Sequence, residues 1–408
     1  MKPERFTAGM FIFVIGALML LVFFSIGSRA KELSDHPKIE WEKIYPFEGG
    51  MKASHEEKES FYEYVKNKLK NYTSEKLPIY HRMVESAKRY EDALGWNMVS
   101  VFDYNAVFRL KDGYLTNYVL SRDVTRNAEA VKNFSDFCTG MGAEFMYVNI
   151  PVKVCISEDK NISGVLDFAN QNADRLLAML KKYGVRYYDL RKNLHDAGMN
   201  HHEAFYVADQ HWKAETGLWA AGEILKILRN DLSWDVKPEI LSPKNFRYDI
   251  YRDCFMGAQG RKLTSARAKP EDFTLIYPKF DTQMKFEALS LKLNIEGDFS
   301  ILYDMSEITY LSYKRGDLPL ARIENKQARN NKRVLVLHGS FSNVVIPFMA
   351  LELKNIDTIE LHHFTGSVEN FIKTVKPDAV LILYNSALPG RDAKPSATKR
   401  EKKFFDFR

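Results

Sequence analysis

The sequence predicts an α/β fold: a largely parallel sheet with helices on both faces, an antiparallel β insertion, and a transmembrane helix at the amino terminus. Three observations predict it. Apolar runs of strand length alternate with amphipathic helical stretches, the segment at about 240–330 breaks that alternation, and an uncharged apolar run opens the chain. With 408 residues, 45% of them hydrophobic, the chain can bury a substantial core in one large domain or two. A net charge of +6 is mild for this length, and without a basic module no nucleic-acid partner is expected. Cys138, Cys155 and Cys254 are widely spaced and form no C-x-x-C pair, which signals neither a zinc site nor a disulfide framework, although one pair can close in an oxidising compartment.

The elements follow in order. Phe6 to Ser28 holds no charged residue and follows Lys2 and Arg5, the pattern of an uncleaved anchor at 1–29 with the rest of the chain outside the cytoplasm. A cleaved signal peptide ending near Ser28-Arg29-Ala30 is the rival reading; the length of the run and Arg29 speak against it. Residues 30–95 read as a polar stalk and helical lead-in, closed by a helix that starts at Pro78 and ends near Gly95. The main α/β domain spans 96–393. It opens with a hairpin from Val107 to Leu115 around Asp112-Gly113. Helices at 124–138 and around Leu176 to Leu180 then alternate with strands at Phe145 to Val148 and Val185 to Leu190. A helix follows His211. In the insertion, Leu289, Leu291, Leu293 and Ile295 alternate as a strand before a turn at Gly297-Asp298 and the stretch Phe299 to Tyr303. The α/β rhythm returns with strands at Val334 to Leu337, Thr358 to Leu361 (with His362-His363 on the same strand) and Ala379 to Tyr384, and with helices near 343–353 and 368–375. A basic tail, 394–408, reads as solvated.

Two places carry chemistry. Asp209 and His211 stand two positions apart just before a helix, so both side chains can share one side of an extended segment. Ser340 follows Val334 to Gly339 at the carboxyl end of an apolar strand, where ligands of parallel sheets sit. A hydroxyl, an imidazole and a carboxylate are the parts of a nucleophilic triad. Each has a plainer reading: Ser340 as the N-cap of the next helix, His211 as a packed core histidine. Ser342 is a weaker nucleophile candidate. The backbone N–H of Phe341 is a candidate donor to an oxyanion, with Asn149 and Asn385 as further candidates from their places at strand ends. His201-His202-Glu203 and His362-His363 lack the spacing of a metal motif, and no phosphate loop or dinucleotide fingerprint is present, so neither metal nor cofactor is expected.

At these motifs the chain resembles the DHHW family, SGNH-hydrolase-like proteins related to the alginate O-acetylation components. The likeness runs from Tyr72-Thr73-Ser74-Glu75-Lys76-Leu77-Pro78 with Arg82, through Leu110 to Leu115 and Asn149 to Lys153, to Tyr188 to Arg191 and Phe205-Tyr206. It continues with Asp209-Gln210-His211-Trp212, Gly339 to Asn343 with Pro347-Phe348, and Lys376 to Leu381. The resemblance implies an SGNH-like domain in which Ser340 is the nucleophile, His211 the general base and then acid, and Asp209 its orienter. It also implies that an acyl-enzyme passes an acetyl group to a carbohydrate hydroxyl. Two positions depart from the pattern. Gln210 stands at the first histidine of the family's name, which is outside the triad, and His338-Gly339 replaces the usual Gly-Asp before the serine.

The expected protein is an extracytoplasmic, membrane-anchored O-acyltransferase or acetylesterase acting on a cell-envelope or exported polysaccharide. A separate membrane-bound acyltransferase is expected to supply the acetyl group. The alternative is a non-catalytic scaffold or glycan-binding component of a polysaccharide export complex, favoured by the altered residues before Ser340.

Overall fold

The chain divides into two compact units, Met1–Lys76 and Leu77–Arg408. The computed structural model describes residues 86, 98–100, 107–110, 112–155, 167–262, 268–306, 308–391 and 404–408, all in the second unit. The expected anchor, the stalk and, except for the helical Ser86, the helix from Pro78 lie outside the described residues. Among the described residues no helix is long and apolar enough to cross a membrane.

Among the described residues, eight strands form the main sheet. β4 (Glu144–Ile150), β5 (Tyr187–Asp189), β11 (Arg333–His338), β12 (Asn355–Ile359) and β13 (Ala379–Asn385) are parallel, in the order β5-β4-β13-β11-β12. Their side chains alternate between two cores, as the pleat requires. Val334, Val336, Leu381 and Leu383 pack with α4 (Ala214–Leu232), while Leu335, Leu337, Val380 and Ile382 pack with α1 (Thr125–Gly140) and α2 (Ala169–Lys182). Both faces are buried, and this is why the strands read as continuous apolar runs.

The sheet is mixed rather than largely parallel. β10 (Leu320–Asn325), β8 (Met284–Ala288) and β9 (Leu293–Gly297), all from the insertion, continue it beyond β12 in antiparallel register. The insertion therefore widens the main sheet. The physical reason lies in its connections: the four residues 289–292 between β8 and β9 can close only an antiparallel pair. The expected strand through Leu289 is broken for the same reason. Leu289–Leu291 form a 3-10 turn and Lys292 takes φ 53°, so the alternation of leucines spans the end of one strand, a turn and the start of the next.

A second pair from the insertion, β6 (Phe246–Phe255) and β7 (Glu271–Pro278), forms its own antiparallel ribbon. The lead-in hairpin is as expected, with β2 (Val107–Arg109) and β3 (Leu115–Asn117) paired around Gly113 at φ 90°. β1 (Met98–Ser100) adds to it. Three other expectations change. β12 ends at Ile359, so His362-His363 lie in a turn. The helix expected near 343–353 shortens to α5 (Ile346–Met349) behind a 3-10 turn at Ser340–Val344. The end of the chain is not a solvated tail: Phe404, Phe405 and Phe407 are buried, Phe407 stacks on Phe134, and the Tyr384 hydroxyl donates to Phe404 O at 2.6 Å. Three aromatic rings outweigh the basic residues before them, because burying each is worth about 2 kcal/mol or more.

Candidate active site

The site begins with a tight loop. Phe205 and Trp212 face each other across an antiparallel bridge, and Tyr206 N donates to His211 O at 3.2 Å, which folds residues 207–210 into a projecting tip. Two charged residues hold that tip, Lys153 buried and Glu271 half-buried. The Lys153 ammonium, at the end of the turn after β4, donates to Leu115 O (2.6 Å), Val207 O (3.1 Å), Asp209 O (2.5 Å) and Gln259 Oε1 (3.1 Å). Glu271 on β7 accepts from Val207 N (2.7 Å) and Ala208 N (2.8 Å). Burial draws the Lys153 pKa down to about 7, against the attraction of Asp209, Glu271 and Asp112. Lys153→Met is expected to leave Leu115 O and Asp209 O buried without this donor, while Val207 O keeps the Leu115 N–H, and to cost about 3 kcal/mol of stability, measured by urea unfolding. A loss below about 1 kcal/mol would show that water replaces the ammonium there.

On this loop the Asp209 carboxylate meets the His211 ring. The Nδ1–H of His211 donates to Asp209 Oδ1 at 2.5 Å, the backbone N–H of His211 donates to the same oxygen at 2.9 Å, and Ala258 N donates to Oδ2 at 2.6 Å. Burial alone would raise the Asp209 pKa. The His211 charge and these hydrogen bonds outweigh it and hold the carboxyl at about 2. Gly257 makes the Ala258 contact possible: a Cβ there would lie 2.3 Å from Asp209 Cβ and 2.5 Å from Ala208 O.

With Nδ1 carrying the proton, Nε2 is an acceptor, and Ser340 Oγ donates to it at 2.8 Å. The three residues that the sequence placed at separate points thus form one hydrogen-bonded chain. Asp209 and His211 are nearly buried, at 3% and 7% exposed, while Ser340 is part-exposed. Trp212 fixes the distance between the two halves, because its indole N–H donates to Phe341 O at 2.8 Å. Tyr310, from the insertion, donates to the same oxygen at 3.1 Å and stacks on His211, with ring centroids 3.8 Å apart and planes 10° from parallel.

Ser340 opens onto a cavity of about 410 Å3. Its polar lining includes Asn117, Gln210, Gln259, Asp317, Asn385 and Arg391. The oxyanion candidates separate. Phe341 and Asn385 line the cavity. Asn385 Oδ1 accepts from Ala387 N at 2.9 Å, and its amide nitrogen has no partner among the described residues. Asn149 does not serve: it is fully buried, and its Nδ2 donates to Asp189 Oδ1 (2.9 Å) and Ser386 Oγ (3.1 Å), which spends both N–H bonds. Ser342 is also buried, with its hydroxyl on Leu383 O at 3.3 Å. Gly339 adopts extended backbone (φ −110°, ψ 176°), and an added Cβ would touch only Leu388 at 3.4 Å. The turn therefore does not depend on the conformational freedom that glycine provides. His338 is buried at the end of β11 with Nδ1 3.1 Å from Gly339 O, and burial keeps its pKa well below the usual range, so the ring is neutral.

Sequence reasoning missed every contribution of the insertion: Ala258, Gln259, Glu271 and Tyr310 are far from Asp209 in the chain and carry no motif. The three cysteines form no disulfide.

The sheet and its helices define an α/β fold, and it is similar to SGNH hydrolase-like domains. Residues 99–246 match the family model described as the SGNH hydrolase-like domain of the acetyltransferase AlgX. The solved structure of Bacillus cereus PatB1 is similar at 19% identity and TM-score 0.60, covering 74% of this chain and 100% of that one. PatB1 with a sulfonyl adduct is similar at 18% and 0.59, covering 75% and 99%. A DHHW family protein from Eubacterium siraeum is similar at 13% and 0.56, covering 72% and 94%. No curated protein matches in sequence. The resemblance read from the motifs is thus met by a family model and by a DHHW family structure. The family match ends at residue 246, near the start of the insertion and before Ser340.

Proposed function

We propose that this protein transfers an acyl group through a covalent intermediate on Ser340, as an O-acetyltransferase or acetylesterase of a cell-envelope or exported polysaccharide. The observation that carries the reading is the chain Ser340 Oγ to His211 Nε2 and His211 Nδ1 to Asp209 Oδ1 beside an open cavity. His211 takes the serine proton as Oγ attacks the acyl carbonyl, Asp209 steadies the imidazolium, and His211 returns the proton to the leaving group. The developing oxyanion is assigned to the Phe341 N–H, assisted by Asn385. The acceptor, a sugar hydroxyl or water, then reverses the sequence. A cavity lined by amides and carboxylates suits a hydroxyl-rich acceptor. The AlgX name of the matching family supports acetyl as the group, and the sulfonyl adduct of PatB1 supports a reactive nucleophile in this fold.

The test is labelling of the full chain with a serine-reactive sulfonyl probe. Ser340 should be the labelled residue and His211→Ala should slow the reaction; labelling that survives Ser340→Ala would remove the basis of the assignment. A non-catalytic scaffold gains no specific support, because the altered residue His338 is not among those lining the cavity.

The reading includes a place. The uncharged run Phe6 to Ser28 would anchor the chain with its α/β domain outside the cytoplasm, within reach of a membrane-bound acyltransferase that supplies the acetyl group. High salt should then fail to wash the protein from membranes. Recovery of a soluble form starting near Lys31 would establish cleavage instead.

A further inference from the structure

A cluster outside the triad has the composition of a metal site. Cys155 Sγ and one nitrogen each of His195 and His201 lie within 4.8 Å of one another. Cys155 and His201 are buried and His195 is half-buried. The three come from the turn after β4, from α3 (Leu190–Asp196), and from the residue before the 3-10 turn His202–Ala204. Sequence spacing could not show this, since Cys155 is 40 positions from His195.

His201 provides the second observation. Its Nε2 lies 2.8 Å from Val152 O, a carbonyl, so Nε2 carries the hydrogen. The remaining nitrogen, Nδ1, is then a bare lone pair, and it is buried without a hydrogen-bond partner. An unpaired acceptor at 5% residue exposure costs stability unless something fills it. An imidazole that donates one N–H to a backbone carbonyl while its other nitrogen is unpartnered is the arrangement of a metal-bound histidine. The distances also suit a metal: Cys155 Sγ and His195 Nε2 are 3.2 Å apart. A tetrahedral Zn2+, with bonds of about 2.3 Å to sulfur and about 2.1 Å to nitrogen, sets its donors about 3.4–3.6 Å apart.

We propose that Cys155 Sγ, His195 Nε2 and His201 Nδ1 bind one Zn2+, with solvent in the fourth position. A thiolate with two imidazoles favours zinc over the hard divalent cations, which prefer oxygen donors. Binding releases the thiol proton to solvent and leaves the metal's oxidation state unchanged. The ion would tie the turn carrying Val152 and Lys153 to α3 and to the segment leading to Asp209. It is a separate site from the triad, and its presence does not depend on acyl-transfer activity.

The full chain, purified in detergent and stripped with a chelator, is titrated with Co2+ and then Zn2+. One equivalent of Co2+ should bind, giving the visible bands of a tetrahedral site together with a thiolate-to-metal charge-transfer band, and Zn2+ should displace it. Cys155→Ser should abolish the charge-transfer band and weaken binding at least tenfold, His195→Gln should weaken it similarly, and Cys138→Ser, Cys254→Ser and Ser340→Ala should leave it intact. Absence of stoichiometric binding by the stripped wild-type chain, or a charge-transfer band that survives Cys155→Ser, would overturn the proposal. If Cys155→Ser fails to fold, the double variant Cys138→Ser/Cys254→Ser decides, because Cys155 is then the one thiol left and the band should persist; loss of the band in that variant would overturn the proposal.

Discussion

Replacing Ser340 with alanine should lower turnover of an activated aryl acetate by about 100,000-fold or more, with little change in stability. The hydroxyl is part-exposed and donates to His211 Nε2 at 2.8 Å, so its loss removes the nucleophile without opening a core cavity. His211→Ala should be about as damaging, and the double variant no worse than either, because the two act as a unit. Ser342→Ala is the contrast: that hydroxyl is buried against Leu383 O at 3.3 Å, and its loss should change turnover by less than about tenfold. A Ser340→Ala rate within tenfold of wild type would assign the chemistry elsewhere.

Asp209→Asn should cost about 1,000- to 10,000-fold in turnover. Asp209 Oδ1 accepts from both the ring and the backbone N–H of His211, and Oδ2 accepts from Ala258 N. An amide has one acceptor oxygen. Whichever way it turns, its NH2 faces either the imidazole, favouring the wrong tautomer, or the Ala258 N–H. Stability should respond to pH as well. The folded carboxyl sits at about 2, below the ordinary value of 3.8, so it contributes stability above about pH 4 that is lost as the pH falls through about 2. That component is about 2 kcal/mol, and it should be missing from the acid limb of the Asp209→Asn variant in urea unfolding across pH. An unchanged acid limb would mean that the carboxylate is not held as described.

What was legible in the sequence is what neighbouring residues determine. The parallel strands could be read because burial on both faces makes them continuously apolar, and Asp209 with His211 because two positions suffice to bring a carboxylate to a ring. Ser340 could be placed at a strand end but not against His211, since 129 residues of chain intervene. The insertion was visible as a break in rhythm and as one alternating strand, which spans a turn between two strands. β8, β9 and β10 join the main sheet through backbone pairing, which leaves no side-chain signature, and Ala258 contributes a backbone N–H that no residue type announces. Lys153 entered the sequence reading only through the resemblance at Asn149 to Lys153; its burial among Leu115 O, Val207 O and Asp209 O is a tertiary fact. The basic residues near the carboxyl end suggested solvent, while Phe404, Phe405 and Phe407 directed the chain back to the core.

The most direct measurement of the central claim is peptide mass spectrometry of the full chain, quenched during turnover with an activated acetyl donor and with the proposed membrane-bound acyltransferase supplied. The account expects one acetyl group on the peptide containing Ser340, lost in Ser340→Ala and transferred onward when a glycan acceptor is added. No acetyl at Ser340 under those conditions, together with unchanged glycan acetylation in cells carrying Ser340→Ala, would contradict it and leave the protein as a scaffold.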